Sequence, residues 1–185
     1  MKKIGKMAIF CGSKTGNNPL YAQHAQELGK ILAAHQVELI YGGGRNGLMG
    51  VAADTVMNNG GIVRGVIPQV LISWEHQHEN ISELVVVEDM HIRKRKMYEL
   101  CDGAVFLPGG FGTLDELFEM LTWNQLSIHD KEIFILNSGG FYNHLLEHLK
   151  FLSSEGFLYG GLEEKLIVLD SPEEVIAYLV SGEEG

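Results

Sequence analysis

A glycine-rich turn runs into a predicted helix between Pro108 and Glu116, with the sequence Pro-Gly-Gly-Phe-Gly-Thr-Leu-Asp-Glu. Glycines allow the backbone to approach a ligand closely, and the first turn of a helix offers unpaired amide groups and a partial positive charge. An anion, above all a phosphate, is the ligand that such a turn favours. Glu116 adds a carboxylate on the helix that follows.

A second glycine-rich run covers Gly42 to Gly50 and also leads into a predicted helix. Its glycines fit the spacing of a dinucleotide-binding turn, but that type of site needs an acid roughly 20 residues further on. The segment Ile62–Val66 at that distance holds no acid, so an NAD enzyme is not favoured. Two glycine-rich helix starts at one sheet edge predict a phosphorylated ligand held at more than one point. The alternative for this run is that its glycines serve only a tight strand-to-helix turn.

Four adjacent cations, at positions 93 to 96, lie in a helix that is predicted to begin near Met90, although the net charge of the chain is −10. Four consecutive helical residues fan out through about 300°, so at most two of these cations can serve one site. Arg93 is nearest the helix start and therefore nearest the strand ends. For each of these cations, the alternative is a solvated surface charge.

Other patterns are weaker. Gly12 to Gly16 lacks the glycine spacing of a Walker loop, and His144 with His148 fits an inverted zinc-protease motif that amphipathic helices produce by chance. No metal site is expected from them. Cys11 follows a predicted strand and is interpreted as a packed small hydrophobe rather than a nucleophile.

The stretch from Pro68 to Asn80 is long, polar and irregular. Such a stretch is either a surface crossover or a lid over a ligand. His76 and His78 within it are predicted to be surface residues.

Short apolar runs without polar alternation indicate strands that are buried on both faces. The predicted strands are Met7–Cys11, Val37–Tyr41, Ile62–Ile67, Leu84–Val87, Ala104–Leu107, Ile133–Leu136 and Leu166–Leu169. Helical patterns separate most of them, so the fold class is α/β, a Rossmann-like doubly wound and mainly parallel sheet of about seven strands flanked by helices. Asn18-Pro19 is predicted to begin the first helix, and Ser171-Pro172 the last.

On the helix after the Pro108 turn, the spacing predicts a core-facing stripe of Leu114, Leu117, Phe118 and Leu121. Glu116, Met120 and Trp123 then fall on other sides of the helix. Apolar side chains on the outward face of a helix are usually buried against another surface. This pattern therefore predicts that a second subunit packs on that face, with the Glu116 carboxylate near a shared cleft.

Composition limits the class of protein. The 185 residues, 45% hydrophobic and 21% charged, fit a single globular domain over residues 1–185. The acidic balance disfavours nucleic acid as a partner. Two cysteines are too few for a disulfide scaffold, and no uncharged apolar run reaches membrane-spanning length, so no membrane association and a cytoplasmic location are expected.

Several of these runs together resemble the LONELY GUY family, from about residue 5 to residue 180. The resemblance rests on Cys11-Gly12-Ser13, Tyr41–Gly44, Gly47–Gly50, Gly65–Pro68, Met90-His91 with Arg93-Lys94, and the PGGxGTxxE motif at 108–116. It implies a Rossmann-like fold and a homodimer with residues of both subunits near the site. It also implies the cleavage of nucleoside 5′-monophosphates, including cytokinin nucleotides, into free base and ribose 5-phosphate. Many members of this family nevertheless carry the label "lysine decarboxylase-like".

The resemblance also implies roles for individual residues. By position, Arg93 and Glu116 match the catalytic pair. The substrate-binding residues that it implies are Ser13, Gly43, Gly44, Glu75, Lys94, Gly109, Gly110, Gly112 and Thr113. Cleavage of an N-glycoside passes through an oxocarbenium-like state, which a carboxylate near C1′ can stabilise, or the carboxylate can orient the attacking water. Arg93 either holds the phosphate or stabilises the departing base. No metal or organic cofactor is needed.

Two other functions compete with this one. A non-catalytic nucleotide-binding or carrier protein would use the same glycines, but a pure phosphate binder gains nothing from a carboxylate near its anion. A pyridoxal-dependent lysine decarboxylase conflicts with the short chain and with Lys131, which has no phosphate-binding turn beside it. The sequence leaves open whether the base is adenine or a prenylated adenine.

Overall fold

The computed structural model describes residues 4–72 and 77–180. Seven strands alternate with helices along this part of the chain. The strands are β1 (Lys6–Phe10), β2 (Glu38–Tyr41), β3 (Val63–Pro68), β4 (Glu83–Val87), β5 (Gly103–Phe106), β6 (Glu132–Leu136) and β7 (Ile167–Leu169). The α-helices are α1 (Pro19–Ala34), α2 (Gly47–Asn58), α3 (Met90–Leu100), α4 (Phe111–Gln125), α5 (Asn143–Ser154) and α6 (Ile176–Val180).

The strands form one sheet in the order β4-β3-β2-β1-β5-β6-β7, and every pairing is parallel. This confirms the predicted α/β class and the doubly wound sheet, and the predicted strands agree with the observed ones to within one residue at each end. The direction of winding reverses between β1 and β5. In open sheets of this kind, ligands bind at such a reversal, outside the carboxyl ends of the strands.

The sheet buries an apolar layer on each face. On one face α1 and α2 pack through Leu28, Leu32 and Leu48. On the other face α3, α4 and α5 cover Phe10 and Phe106, whose rings stack with centroids 4.8 Å apart. The central strands are therefore enclosed on both sides, which is why they are apolar without alternation.

The two edge strands differ from the prediction that every strand is buried on both faces. In β4, Val86 is 47% exposed, and in β7, Val168 is 42% exposed. An edge strand has a neighbour on one side only, and the helices do not reach across the whole width of the sheet here. An apolar run of this kind does not tell a central strand from an edge strand.

Helix α1 begins as predicted. The Asn18 side chain accepts a hydrogen bond from the Leu20 amide at 3.0 Å, and Pro19 occupies the first helical position. The prediction for the last helix is wrong in part. Ser171 makes no side-chain cap, and Pro172 begins a short 3₁₀ segment that precedes α6.

The predicted core stripe of α4 is wrong in part: Leu117 is buried and Leu114 and Leu121 pack against the core, but Phe118 does not. The buried residues of this helix are Thr113, Leu117, Met120 and Asn124, whereas Phe118 is 40% exposed. Met120 faces the core of its own chain, and the Trp123 ring contacts the Tyr98 ring edge to face, with centroids 5.3 Å apart. The reason for placing a second subunit over Met120 and Trp123 is therefore lost.

None of the helices formed by the described residues has both the length and the apolar character needed to cross a membrane.

Candidate active site

A cavity of about 270 Å³ opens at the carboxyl ends of the central strands, beside the point where the sheet reverses its winding. Its size is close to the lower limit of small-molecule sites, which begin at about 300 Å³. It lies on the α3 and α4 side of the sheet. Six of the residues predicted from the sequence line it: Ser13, Arg93, Gly110, Gly112, Thr113 and Glu116.

The start of α4 forms one wall of this cavity. Gly110 occupies the N-cap and provides no capping side chain, so the first-turn amides lack the internal partner that a capped helix gives them. Neither Gly110 nor Gly112 has a positive φ angle, and a β-carbon built on either would meet no atom within 4 Å. The backbone does not require glycine at these two positions. What their missing side chains provide is open space in front of a helix N-terminus, where an anion binds.

Gly109 is glycine for a different reason. A β-carbon there would overlap the Thr113 side chain. Gly109 lies on a neighbouring recess of about 230 Å³, which shares Ser13 and Gly110 with the main cavity. It fixes the shape of the turn and does not face the main cavity.

Arg93 is buried, with 5% of its surface exposed, and backbone carbonyls hold its guanidinium group. Nε donates to the carbonyl of Val66 on β3 at 3.1 Å, and Nη2 donates to the carbonyl of Gly42 at 3.0 Å. Nη1 approaches the sulfur of Met90 at 3.8 Å. The side chain therefore brings a permanent positive charge to the cavity in a fixed orientation.

Glu116 lies on the second turn of α4 and is half-buried on the cavity wall. Its backbone carbonyl accepts a hydrogen bond from the Tyr98 hydroxyl at 3.2 Å, which ties this turn to α3. Burial, together with the nearby carboxylates Glu119 and Glu116, raises the pKa of Tyr98 above its ordinary value. The hydroxyl therefore stays protonated and acts as a donor.

Lys94 is not part of the cavity lining. Its ammonium group bonds to Asp115 at 3.0 Å and to Glu119 at 3.1 Å. This arrangement does not favour the substrate-binding role expected for Lys94, because both partners are carboxylates of its own chain.

The predicted second helix-start site, at α2, is closed. The amide of Leu48 donates to the carbonyl of Gly12 at 3.1 Å, and the backbone of Ser13 lies where a β-carbon on Gly47 would be. The turn after β1 thus occupies the start of α2. Met49 on the first turn of α2 still lines the cavity, but the start of α4 is the more open of the two glycine-rich helix starts, so the two starts are not equivalent anion sites as the sequence suggested.

Gly43 and Gly44 hold a loop rather than line the main cavity. The carbonyl of Gly43 accepts the amide of His78 at 3.0 Å, and Gly44 forms an antiparallel bridge with Gln77. The stretch after β3 is therefore fastened to the turn after β2. Glu75 and His76 lie outside the described residues.

His78 is not the surface residue that was predicted. It is 2% exposed, and its Nε2 lies 3.0 Å from Asp54 on α2. Because Asp54 is 24 residues away in sequence, local patterns gave no sign of this pair.

Several cavity residues were missed or misjudged at the sequence level. Cys11, interpreted as a packed small hydrophobe, does pack against the core, and it also lies half-buried on the cavity wall, which the sequence did not indicate. Met90 and Met97 line the cavity on either side of Arg93. The spacing of Met90, Arg93 and Met97, at i, i+3 and i+7, is the signal that could have revealed one helix face.

The other candidate residues lie elsewhere. His144 is fully exposed and lies 3.5 Å from Glu147, and among the described residues no group of three His, Cys, Asp or Glu side chains could hold a metal ion. Lys131 donates to the carbonyl of Cys101 at 2.5 Å, near the amino ends of the strands. That position is at the opposite end of the sheet from the cavity.

Comparison with known proteins shows which family the chain belongs to. The family model described as "Possible lysine decarboxylase" matches residues 49–179. A probable cytokinin riboside 5′-monophosphate phosphoribohydrolase from Oryza sativa subsp. japonica is 42% identical over 177 residues, which covers 96% of this chain and 72% of the relative. A cytokinin riboside 5′-monophosphate phosphoribohydrolase from Arabidopsis thaliana is 41% identical over 177 residues, covering 96% of this chain and 83% of the relative.

Solved structures share the fold. The molybdenum cofactor binding protein from Rippkaea orientalis superposes with a TM-score of 0.72 at 20% sequence identity, over 98% of both chains. Sequence identity this low supports a common architecture alone. The family match over more than half of the chain and the two plant relatives go further, and together they show that this chain belongs to the LONELY GUY family.

Proposed function

We propose that this protein hydrolyses the N-glycosidic bond of a nucleoside 5′-monophosphate and releases the free base and ribose 5-phosphate. The observation that carries the proposal is the placement of Arg93 and Glu116 on the wall of one cavity, beside a helix start kept open by Gly110 and Gly112. The plant relatives carry the name of this activity.

The phosphate binds at the start of α4. In a chain of net charge −10, an anionic substrate needs a local source of positive potential. The first-turn amides of α4 and the guanidinium of Arg93 supply it. This arrangement favours a dianionic monophosphate over a neutral nucleoside.

The chemical step takes place at C1′ of the ribose. A water oxygen bonds to C1′ while the bond from C1′ to the base nitrogen breaks, and the electron pair of that bond leaves with the base. The Glu116 carboxylate accepts the proton of the attacking water and stabilises the positive charge that develops on the sugar. The proton then passes to the departing base, so the step is balanced without a metal or an organic cofactor.

The base binds against apolar side chains. Met49, Leu71, Met90 and Met97 line the cavity together with the polar groups. Methionine is unbranched and flexible, so such a wall adapts to groups of different size. AMP and N6-modified adenine nucleotides are therefore the proposed substrates.

Decarboxylation of lysine, the activity in the family description, has less support. A pyridoxal enzyme needs a lysine beside its phosphate-binding turn to form a Schiff base. Lys94 is the lysine of α3 that is nearest in sequence to Arg93, and two carboxylates hold its ammonium group. Lys131 lies at the far end of the sheet.

A second copy of the chain is the proposed partner, on a face other than the one predicted from the sequence. A groove between α4 and α5 is lined by Phe118, Leu121, Leu152, Leu158 and Tyr159. Phe118 is 40% exposed and Tyr159 is 80% exposed. Exposed aromatic residues around an apolar groove are typical of a protein interface. A cytoplasmic location is also proposed, since Cys11 and Cys101 form no disulfide, which fits a reducing compartment.

The activity is tested by incubating the protein with AMP, N6-isopentenyl-AMP, adenosine and ADP. Chromatography then measures the free base. We expect base release from the monophosphates and much less from adenosine or ADP. Tight binding of AMP with no release of base would refute hydrolysis and favour the carrier alternative.

The assembly is tested by light scattering after size exclusion. The wild-type protein should elute as a dimer, and the double variant Phe118→Glu with Tyr159→Glu should be monomeric. Ile62→Glu is the matched control, because Ile62 is 56% exposed and is not part of the groove. A wild-type monomer at high protein concentration would refute the proposed dimer.

A further inference from the structure

The ammonium group of Lys94 is buried between two carboxylates, whereas the ammonium group of a surface lysine is solvated. The side chain is 9% exposed, and it bridges Asp115 and Glu119 on α4 at 3.0 and 3.1 Å. Burial disfavours the charged form, but the hydrogen bonds and charges of Asp115 and Glu119 outweigh it, so the pKa of Lys94 is raised above 10.5. The ammonium group of Lys94 therefore carries its charge at neutral pH.

The two partners of Lys94 lie on either side of Glu116 in the sequence of α4. Asp115 precedes Glu116, and Glu119 follows it by less than one helical turn. Tyr98, one turn after Lys94 on α3, donates to the backbone carbonyl of Glu116 at 3.2 Å and to the Glu119 carboxylate at 3.0 Å. Helix α3 thus contacts three residues of this turn of α4, namely Asp115, Glu116 and Glu119.

A helix rotates its side chains by about 100° per residue, so a small rotation of α4 about its axis would move the Glu116 carboxylate away from the sugar. Contacts on both sides of Glu116 resist such a rotation. Removing the ammonium group would also leave Asp115 and Glu119 without their shared cation, close to a third carboxylate. Solvent screens their repulsion at Asp115, which is 62% exposed, so the main effect is that this turn of α4 is held less firmly.

Helix α3 also carries Arg93, the residue before Lys94. Because neighbouring helical residues point in directions about 100° apart, Arg93 reaches the carbonyls of Val66 and Gly42 while Lys94 reaches α4. The same turn of α3 thus sets the position of both groups assigned to catalysis.

We propose that Lys94 is a positioning residue, which bridges Asp115 and Glu119 so that the Glu116 carboxylate is held toward the cavity, and that it does not bind the substrate phosphate. The proposal rests on the hydrolytic function proposed above. It assigns to Lys94 a contribution to turnover and none to the affinity for the phosphate.

The test compares Lys94→Met with the wild-type protein in two measurements, the steady-state kinetics with AMP and the dissociation constant of ribose 5-phosphate from calorimetry. Since a displacement of about 1 Å in a reacting group costs on the order of 10²-fold in rate, we expect kcat to fall by that amount. KM and the dissociation constant of ribose 5-phosphate should stay within about threefold, because positioning acts on the transition state. Lys94→Arg keeps a positive charge that can bond to both carboxylates, and it should recover most of the lost kcat.

Lys96→Met is the matched control, since it removes the same charge from the same helix and Lys96 lies outside the cavity. It should leave both kcat and KM unchanged. An unchanged kcat in Lys94→Met, or ribose 5-phosphate binding weakened by more than about tenfold, would overturn the proposal, since a lost phosphate contact costs affinity.

Lys94→Met could fail to fold, and Glu119→Gln then replaces it. Glu119→Gln removes one charge of the bridge, is close to isosteric, and leaves the cavity lining intact. We expect a smaller fall in kcat at constant KM. A folded Glu119→Gln protein with wild-type kcat would overturn the proposal.

The failure of this proposal can be told apart from the failure of the proposed function. If the wild-type protein releases no base from any monophosphate, the proposed hydrolytic function is refuted. The positioning of Glu116 is then tested by hydrogen exchange. Lys94→Met should speed the exchange of amides 114–119, and Lys96→Met should not. Equal exchange in the two variants would overturn the positioning role by itself.

Discussion

The guanidinium group of Arg93 lies against the α-carbon of Gly42, in the space that a β-carbon would fill. Nη2 also donates to the carbonyl of the same residue at 3.0 Å. Gly42 thus accommodates Arg93 and orients it. Glycine is needed here for close packing, since Gly42 has no positive φ angle.

Gly42→Ala should therefore displace Arg93 from the cavity. Because the guanidinium is buried and held by two carbonyls, it cannot move without losing those hydrogen bonds. We expect kcat/KM for AMP to fall on the order of 10²-fold. Gly5→Ala is the control, since a β-carbon on Gly5 would lie 3.5 Å from Asp102, an ordinary contact. Wild-type kinetics in Gly42→Ala would show that Arg93 does not have to occupy this position.

Glu116→Gln should separate binding from turnover. The amide has nearly the shape of the carboxylate, but it neither accepts a proton from water nor stabilises a positive sugar as a charged group does. We expect kcat to fall by about 10² to 10⁴ while the dissociation constant of ribose 5-phosphate stays close to that of the wild-type protein. Glu99→Gln, on the exposed side of α3, is the control. Undiminished hydrolysis by Glu116→Gln would contradict the assigned role.

Gly112→Ala should stabilise the folded protein and lower its affinity for ribose 5-phosphate. The new methyl group meets no protein atom within 4 Å, and alanine in place of glycine in a helix raises the free energy of unfolding by up to about 1 kcal/mol. The same methyl group enters the space in front of the α4 amides. Urea unfolding should show equal or higher stability, and calorimetry should show weaker binding of ribose 5-phosphate. Unchanged binding would mean that the phosphate lies elsewhere.

The two cysteines should differ in reactivity. Cys101 is 1% exposed, and burial raises its pKa to about 11, so at pH 8 less than about 1% of this thiol is in the reactive thiolate form. Cys11 is half-buried on the cavity wall. Iodoacetamide should therefore modify Cys11 first, and AMP should slow that modification. Mass spectrometry of the digested protein measures both rates, and preferential labelling of Cys101 would contradict the prediction.

The strands and the glycine-rich turns could be predicted from the sequence because they depend on local chemistry. Apolar runs gave the seven strands to within one residue, and the Asn18 cap with Pro19 gave the start of α1. Arg93 was selected as the cation nearest the start of its helix, and the structure places it on the cavity wall. The family resemblance added the pairing with Glu116, which no local pattern contains.

Packing between distant elements decided the rest. Spacing on α4 placed Phe118 in the core and Met120 outside it, whereas packing against the sheet and α3 buries Met120 and leaves Phe118 exposed. His78 is buried because Asp54 of another helix lies beside it, and the start of α2 is closed because the turn after β1 fills it.

The sequence by itself determined which segments become strands, where α1 begins, and which strand-to-helix turns are rich in glycine, because these properties depend on a few neighbouring residues. The tertiary structure alone decided that one of the two glycine-rich helix starts is open, and that Lys94 turns to α4 while Arg93 turns to the cavity. Those outcomes depend on contacts between residues far apart in the chain, whose energies no local pattern contains.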